Sequence, residues 1–114
     1  MEMTPSVHKD FLVITVGESR IDAAVAMQFK EKMKDLTSGA SGRVIVELSA
    51  VNFVDSSGLG AVVGSMKQMR RKGRMDLVGL SASVEKVFRM TRMDSVFRIF
   101  GTLGEATQES LNAS

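Results

Sequence analysis

Apolar residues follow two different spacings along this chain. Phe11 to Val16 is a short β-branched run that predicts a strand, and Arg43 to Leu48, with Val44-Ile45-Val46 at its centre, predicts a second. Between them Val25, Ala26, Phe29, Met33 and Leu36 recur at helical spacing, which predicts a helix from Asp22 to about Leu36 with Asp22 as its N-cap. Thr37-Ser38-Gly39-Ala40-Ser41-Gly42 ends that helix in a loop. A further helix is predicted from near Ser57 to Lys72, stopped by Gly73 and with basic residues at its last turn, where the helix dipole favours cations. Met75 to Val78 reads as a short strand, Ser81 as the cap of a helix carrying Val84, Val87 and Phe88, and Val96 to Phe100 as another strand. Thr102-Leu103-Gly104-Glu105 has the Thr-x-x-Glu form of a capping box and opens a last helix toward Leu111. Val7 to Lys9 is expected to add an edge strand antiparallel to the next.

Strand–helix alternation implies parallel strands joined by right-handed crossovers, hence an α/β domain. The expected architecture is a mostly parallel sheet of about four to five strands with about four helices. A length of 114 residues suits one domain over 1–114. Residues 1–6 are expected to be flexible and 112–114 frayed. With 44% hydrophobic and 25% charged residues the balance is globular, which excludes a disordered chain. The chain has no cysteine, so zinc-thiolate sites, redox motifs and cysteine nucleophiles are excluded. Its one histidine, His8, rules out a multi-histidine metal site and disfavours a serine–histidine–acid triad. No metal or cofactor is expected. No apolar run approaches the length of a membrane span, and Met1 to Pro5 lacks the basic and apolar regions of a secretory leader. The reading is a cytoplasmic protein that does not insert into a membrane.

The net charge of +2 is unevenly placed. Residues 67–92 hold eight Lys or Arg against Asp76 and Glu85, while the remainder is net acidic. That polarity either steers an acidic partner or is a solvated helix end. Trp and Tyr are absent and the six Phe do not interleave with the basic residues, so no base-stacking platform and no direct nucleic-acid contact is expected. The nine methionines are read as core filler or as an adaptable binding surface.

Specific chemistry is concentrated between Asn52 and Gly64, where three readings compete. Gly58, Gly60 and Gly64 suggest a dinucleotide loop, but that fingerprint needs its first glycine directly after a strand and an acidic residue at the end of the next one. Gly58 lies ten residues beyond Leu48, and Asp76 falls at the wrong end of its strand. The Gly-Lys-Ser/Thr element of a phosphate-binding loop is missing. A nucleophilic Ser56 or Ser57 would need an oriented base, and only Asp55 is adjacent. The third reading makes a serine at the helix N-terminus a phosphoacceptor. Free N–H groups and the dipole accommodate a phosphate there, while about −2 charge beside Asp55 would change whatever docks. Such a site switches contacts and leaves shape alone.

On a helical wheel Leu59, Val62, Val63, Met66, Met69 and the stem of Arg70 share an arc expected to face the sheet. Ser56, Gly60, Gly64, Lys67 and Arg71 fall on a separate stripe. Each glycine costs a helix about 1 kcal/mol, so some close approach is required, either by another protein or by a neighbouring helix.

Asp55-Ser56-Ser57-Gly58-Leu59-Gly60, preceded by a Val-Ile-Val strand and a Val-Asn-Phe-Val link, resembles the signature of the bacterial anti-sigma factor antagonists, which are STAS domains. The resemblance extends to Arg20-Ile21-Asp22-Ala23, to Leu77-Val78-Gly79-Leu80 and to Ser83-Val84-Glu85-Lys86-Val87-Phe88. It implies a single STAS-like domain and a non-enzymatic, partner-switching regulator. Ser56 would be phosphorylated by a protein serine kinase, often the anti-sigma factor itself, and restored by a phosphatase. Unmodified protein would capture the anti-sigma factor, and the phosphorylated form would release it. By the resemblance Asp22 would border the same surface as Ser56 and its neighbour Asp55, and Ser57, Gly58, Leu59 and Gly60 would be contact residues; the stripe on the helical wheel extends the expected partner-binding surface to Gly64 and Lys67. The family usually has a glycine where Ser19 stands here, with Gly17 two positions earlier, so the loop before Asp22 is expected to differ. The alternative is a STAS accessory subunit of a membrane transporter; the intact Asp-Ser-Ser-Gly favours the regulator.

Overall fold

The computed structural model describes residues 1–39, 42–69 and 73–112. Five strands form the main sheet in the order β1 (Met3–Val7), β2 (Phe11–Val16), β4 (Gly42–Glu47), β6 (Gly73–Val78) and β7 (Ile99–Phe100). All neighbours are parallel except β1, which pairs antiparallel to β2 with Met3 opposite Val16 and Val7 opposite Leu12. The antiparallel edge strand foreseen at Val7 to Lys9 lies instead at Met3–Val7, mostly within the segment expected to be flexible, and His8 and Lys9 fall in the turn to β2. A separate two-stranded sheet joins β3 (Arg20–Ile21) to β5 (Phe53–Val54). Among the described residues four α-helices complete the fold: α1 (Ala26–Thr37), α2 (Ser56–Met69), α3 (Ala82–Met90) and α4 (Leu103–Asn112).

The central strand β4 is buried on both sides, which is why it reads as an unbroken apolar run. Val44 and Val46 join Leu12, Ile14, Met75 and Leu77 in the large core beneath α1, α2 and α3, while Ile45 faces Val13, Val78 and Ala106 beneath α4. Asp76 lies fully buried on β6, where its Oδ2 accepts from Arg43 Nε at 2.6 Å and lies 3.3 Å from Arg74 Nε. Arg43 also donates to the Ala106 carbonyl at 2.7 Å, tying α4 to the sheet. Asp76 is thus a structural ion-pair partner.

Local cap chemistry reads through from sequence. Ser81 caps α3 by accepting from the Val84 N–H, and Thr102 Oγ1 accepts from the Glu105 N–H at 3.1 Å. Glu105 reaches back to the Gly101 N–H, one residue before the position that a standard capping box serves.

Four expectations need correction. Helix α1 starts at Ala26, and Asp22 is not its N-cap. Asp22 instead builds a turn, its Oδ1 accepting from Ala24 N–H and its carbonyl from Val25 N–H. The buried face of α2 is formed by Gly58, Ala61, Val62, Ser65 and Met69, so the helix is rotated from the arc through Leu59 and Met66. Small residues let α2 settle closely, and Ser65 can be buried because its hydroxyl donates to the Ala61 carbonyl. Strand β6 begins at Gly73, two residues before the Met75 expected, and a Cβ at Gly73 would lie 1.7 Å from the Gly42 carbonyl oxygen across the ladder. The strand expected from Val96 shrinks to Ile99–Phe100, because Phe97 turns into the core edge-to-face on Phe88 after a 3₁₀ turn at Met93–Ser95. Arg70, Arg71 and Lys72 lie outside the described residues.

Candidate functional site

Parallel pairing of β3 with β5 brings two loops out side by side. Arg20 stacks its guanidinium 4.3 Å over the Phe53 ring and pairs with Asp22 at 3.1 Å. The Asn52 N–H donates to the Ser19 carbonyl at 2.7 Å. Among the described non-glycine residues the one with positive φ is Arg92, so the backbone at Ser19 does not require glycine.

Asp55 joins the loops. It precedes the first residue of α2, and its Oδ1 accepts from the Gly58 N–H at 2.8 Å as an N-cap. Its Oδ2 accepts from the Ala23 N–H at 3.0 Å. The Gly58 N–H is the largest influence in holding this carboxyl below its ordinary range; partial burial opposes it, and the N–H groups of Ala23 and Ser57 and the charge of Arg20 add to the lowering. An ionised carboxylate with both oxygens on backbone donors is a poor base for either neighbouring serine. His8 stacks on Phe11 in the turn between β1 and β2, at the start of the strands, whereas α2 follows their far ends.

Ser56 and Ser57 are exposed in the first turn of α2. Gly58 is buried, and a Cβ there would lie 1.8 Å from the Ile21 carbonyl oxygen, so α2 rests directly on the backbone of β3. Gly60 has no atom within 4 Å of a built Cβ and opens to solvent; at Gly64 the Lys30 side chain from α1 lies at 3.1 Å. The two readings of the glycine stripe therefore divide: Gly60 leaves bare backbone beside Ser56, while Gly64 serves helix packing. Leu59 is half-buried against the core. Lys67 is exposed near the other end of α2, roughly 16 Å along the axis from Ser56 at 1.5 Å per residue.

Asp22, Asp55, Ser56, Ser57 and Gly60 are thus gathered at one end of the sheet, with Lys67 apart. Sequence reasoning missed Ala23 as the anchor of the first loop, and the exposed apolar residues Phe53 and Met27. Phe53 was recoverable from alternation, since Val54 next to it is buried. Nothing local marks Ala23.

Residues 2–106 match the STAS domain. The chain is 33% identical over 95 residues to the anti-sigma-B factor antagonist of Listeria monocytogenes, covering 82% of this chain and 81% of that protein. Among solved structures, the phosphorylated form of the Bacillus cell fate determinant SpoIIAA superposes with a TM-score of 0.68 at 25% identity, covering 96% of this chain and 99% of that one. The murine anion transporter Slc26a9 shares the fold alone, with a TM-score of 0.79 at 17% identity over 90% of this chain and 18% of the transporter. The fold and site define a STAS domain, and this chain belongs to the anti-sigma factor antagonists within that family.

No helix among the described residues is long and apolar enough to cross a membrane.

Proposed function

We propose that this protein is a phosphorylation-controlled partner switch whose phosphoacceptor is Ser56. The observation that carries the reading is the exposed Ser56 in the first turn of α2, with the open backbone at Gly60 one turn further on and the Asp22 loop held alongside through Asp55. In the unmodified state this surface binds an anti-sigma factor that is also a protein serine kinase. Phosphate at Ser56 adds about −2 charge beside an already anionic Asp55, and a protein serine phosphatase removes it. The role requires no catalysis by the chain, no cofactor and no metal. It controls transcription indirectly, without touching nucleic acid.

The helix N-terminus tolerates the phosphate, because unsatisfied N–H groups and the dipole favour an anion there. The partner does not tolerate it. Like-charge repulsion and desolvation of about 3–4 kcal/mol would lower affinity several-hundredfold, since each 1.4 kcal/mol is tenfold.

The test uses purified anti-sigma factors from the source bacterium. Ser56→Ala should bind its partner constitutively by calorimetry and Ser56→Asp poorly. Intact-mass analysis and site mapping after incubation with each kinase should find one phosphate, at Ser56. Equal binding by both variants, or phosphate confined to Ser57, overturns the assignment.

A further inference from the structure

We propose that Asp55 is a positioning residue that clamps the Asp22 loop to the first turn of α2, so that a partner meets the two segments as one preformed surface. The proposal rests on the partner-switch reading above, and it moves Asp55 from the contact surface to the support beneath it.

The residue type carries the first part of the argument. An N-cap needs one acceptor, and serine, threonine, asparagine and aspartate all supply it. Asp55 is asked for two. Oδ1 serves Gly58 N–H at 2.8 Å within its own helix, and Oδ2 serves Ala23 N–H at 3.0 Å on a loop 32 residues away in sequence. Both bonds run to donors only, so the side chain must present two acceptors and no N–H or O–H. Only a carboxylate of this length does so.

The second part is closure. Ala23 is held by Asp55; the preceding residue, Asp22, pairs with Arg20 at 3.1 Å; and Arg20 lies 4.3 Å over Phe53, two residues before Asp55. The contacts form a ring that starts at Asp55 and ends on Phe53 of β5. Asp22 Oδ1 also accepts from Ala24 N–H at 3.1 Å, stiffening the turn inside the ring. Opening the ring at Asp55 frees the loop without disturbing the β3–β5 pairing beneath it. A rigid pair of loops loses less conformational freedom when a partner docks.

Asp55→Asn separates the two bonds, because its one amide oxygen can cap Gly58 while its NH₂ group confronts the Ala23 N–H. Asp55→Ser, with a single short acceptor, is the second variant. Thermal melts by circular dichroism establish that each is folded. On the protein alone, amide hydrogen exchange followed by NMR should quicken about tenfold at Ala23 and stay unchanged at Gly58 in Asp55→Asn. Calorimetry with the anti-sigma factor that binds wild-type protein should show affinity reduced about tenfold. In an Asp22→Ala background the same substitution should cost less than twofold, because the loop it positions is already disabled. Unchanged exchange at Ala23, unchanged affinity, or an undiminished loss in the Asp22→Ala background overturns the clamp while leaving the switch intact. If wild-type protein binds no anti-sigma factor, the partner-switch reading falls and the clamp with it.

Discussion

Alanine at Gly58 and alanine at Gly60 should move stability in opposite directions, although the positions are two residues apart on α2. A Cβ at Gly58 would sit 1.8 Å from the Ile21 carbonyl oxygen and 2.6 Å from its carbon. Carbon and oxygen normally approach to about 3.3 Å, so α2 and β3 would have to separate by roughly 1.5 Å. Ile21 cannot give way: it is fully buried, and its carbonyl accepts the Asp55 N–H. Overpacking of this kind costs about 1–3 kcal/mol and more where backbone must move, against a helix-propensity gain of about 1 kcal/mol for alanine over glycine. Because backbone must move here, the cost is taken as about 3–4 kcal/mol, and the net loss of about 2–3 kcal/mol corresponds to a melting temperature lower by roughly 8–12 °C for a domain of this size. At Gly60 nothing opposes the propensity gain, so Gly60→Ala should melt about 4 °C higher. Parallel circular-dichroism melts of wild type and both variants are the assay. A Gly58→Ala protein that melts with wild type, or a Gly60→Ala protein that melts lower, refutes the reasoning. If the proposed contact surface is right, the stabilised Gly60→Ala protein should also bind an anti-sigma factor less tightly, since its new methyl group would cover the backbone that Gly60 leaves open to solvent.

Asp76→Ala removes the carboxylate that pairs with the largely buried Arg43 and should cost about 3–5 kcal/mol in urea unfolding; a loss below about 1 kcal/mol would mean that the Arg43 charge reaches water. Ser81→Ala removes the cap of α3 and its bond to the Val51 carbonyl, and should cost about 1–2 kcal/mol by the same measurement. For pH, the folded Asp55 carboxyl binds a proton less readily than the unfolded one, whose ordinary value is 3.8. Its stabilisation is therefore fully present above that value and is lost as pH falls through the lower, folded one. Urea midpoints of wild type and Asp55→Asn should converge as pH drops from about 6 to about 2.5, and a constant gap would show that the charge of Asp55 contributes nothing.

Whatever depends on residues a few positions apart was legible before the fold was known. Strands β2, β4 and β6 announce themselves as short apolar runs, because their side chains are covered from both sheet faces. The caps at Ser81 and Thr102 are local hydrogen bonds, written in the spacing of donor and acceptor. Asp-Ser-Ser-Gly marks a serine at a helix N-terminus for the same reason, and the structure leaves that serine exposed.

Other features belong to segments that meet only in space. The delayed start of α1 accompanies the capture of the Ala23 N–H by a carboxylate on a distant loop, and no pattern near Asp22 records that. The buried face of α2 is set by the Ile21 backbone against Gly58, and Gly73 is glycine because Gly42 lies across the ladder. Periodicity reports the preferences of a helix or strand for its own side chains. Which backbone comes to lie against which, and therefore which glycine is sealed and which stays open to solvent, is decided only when the layers pack.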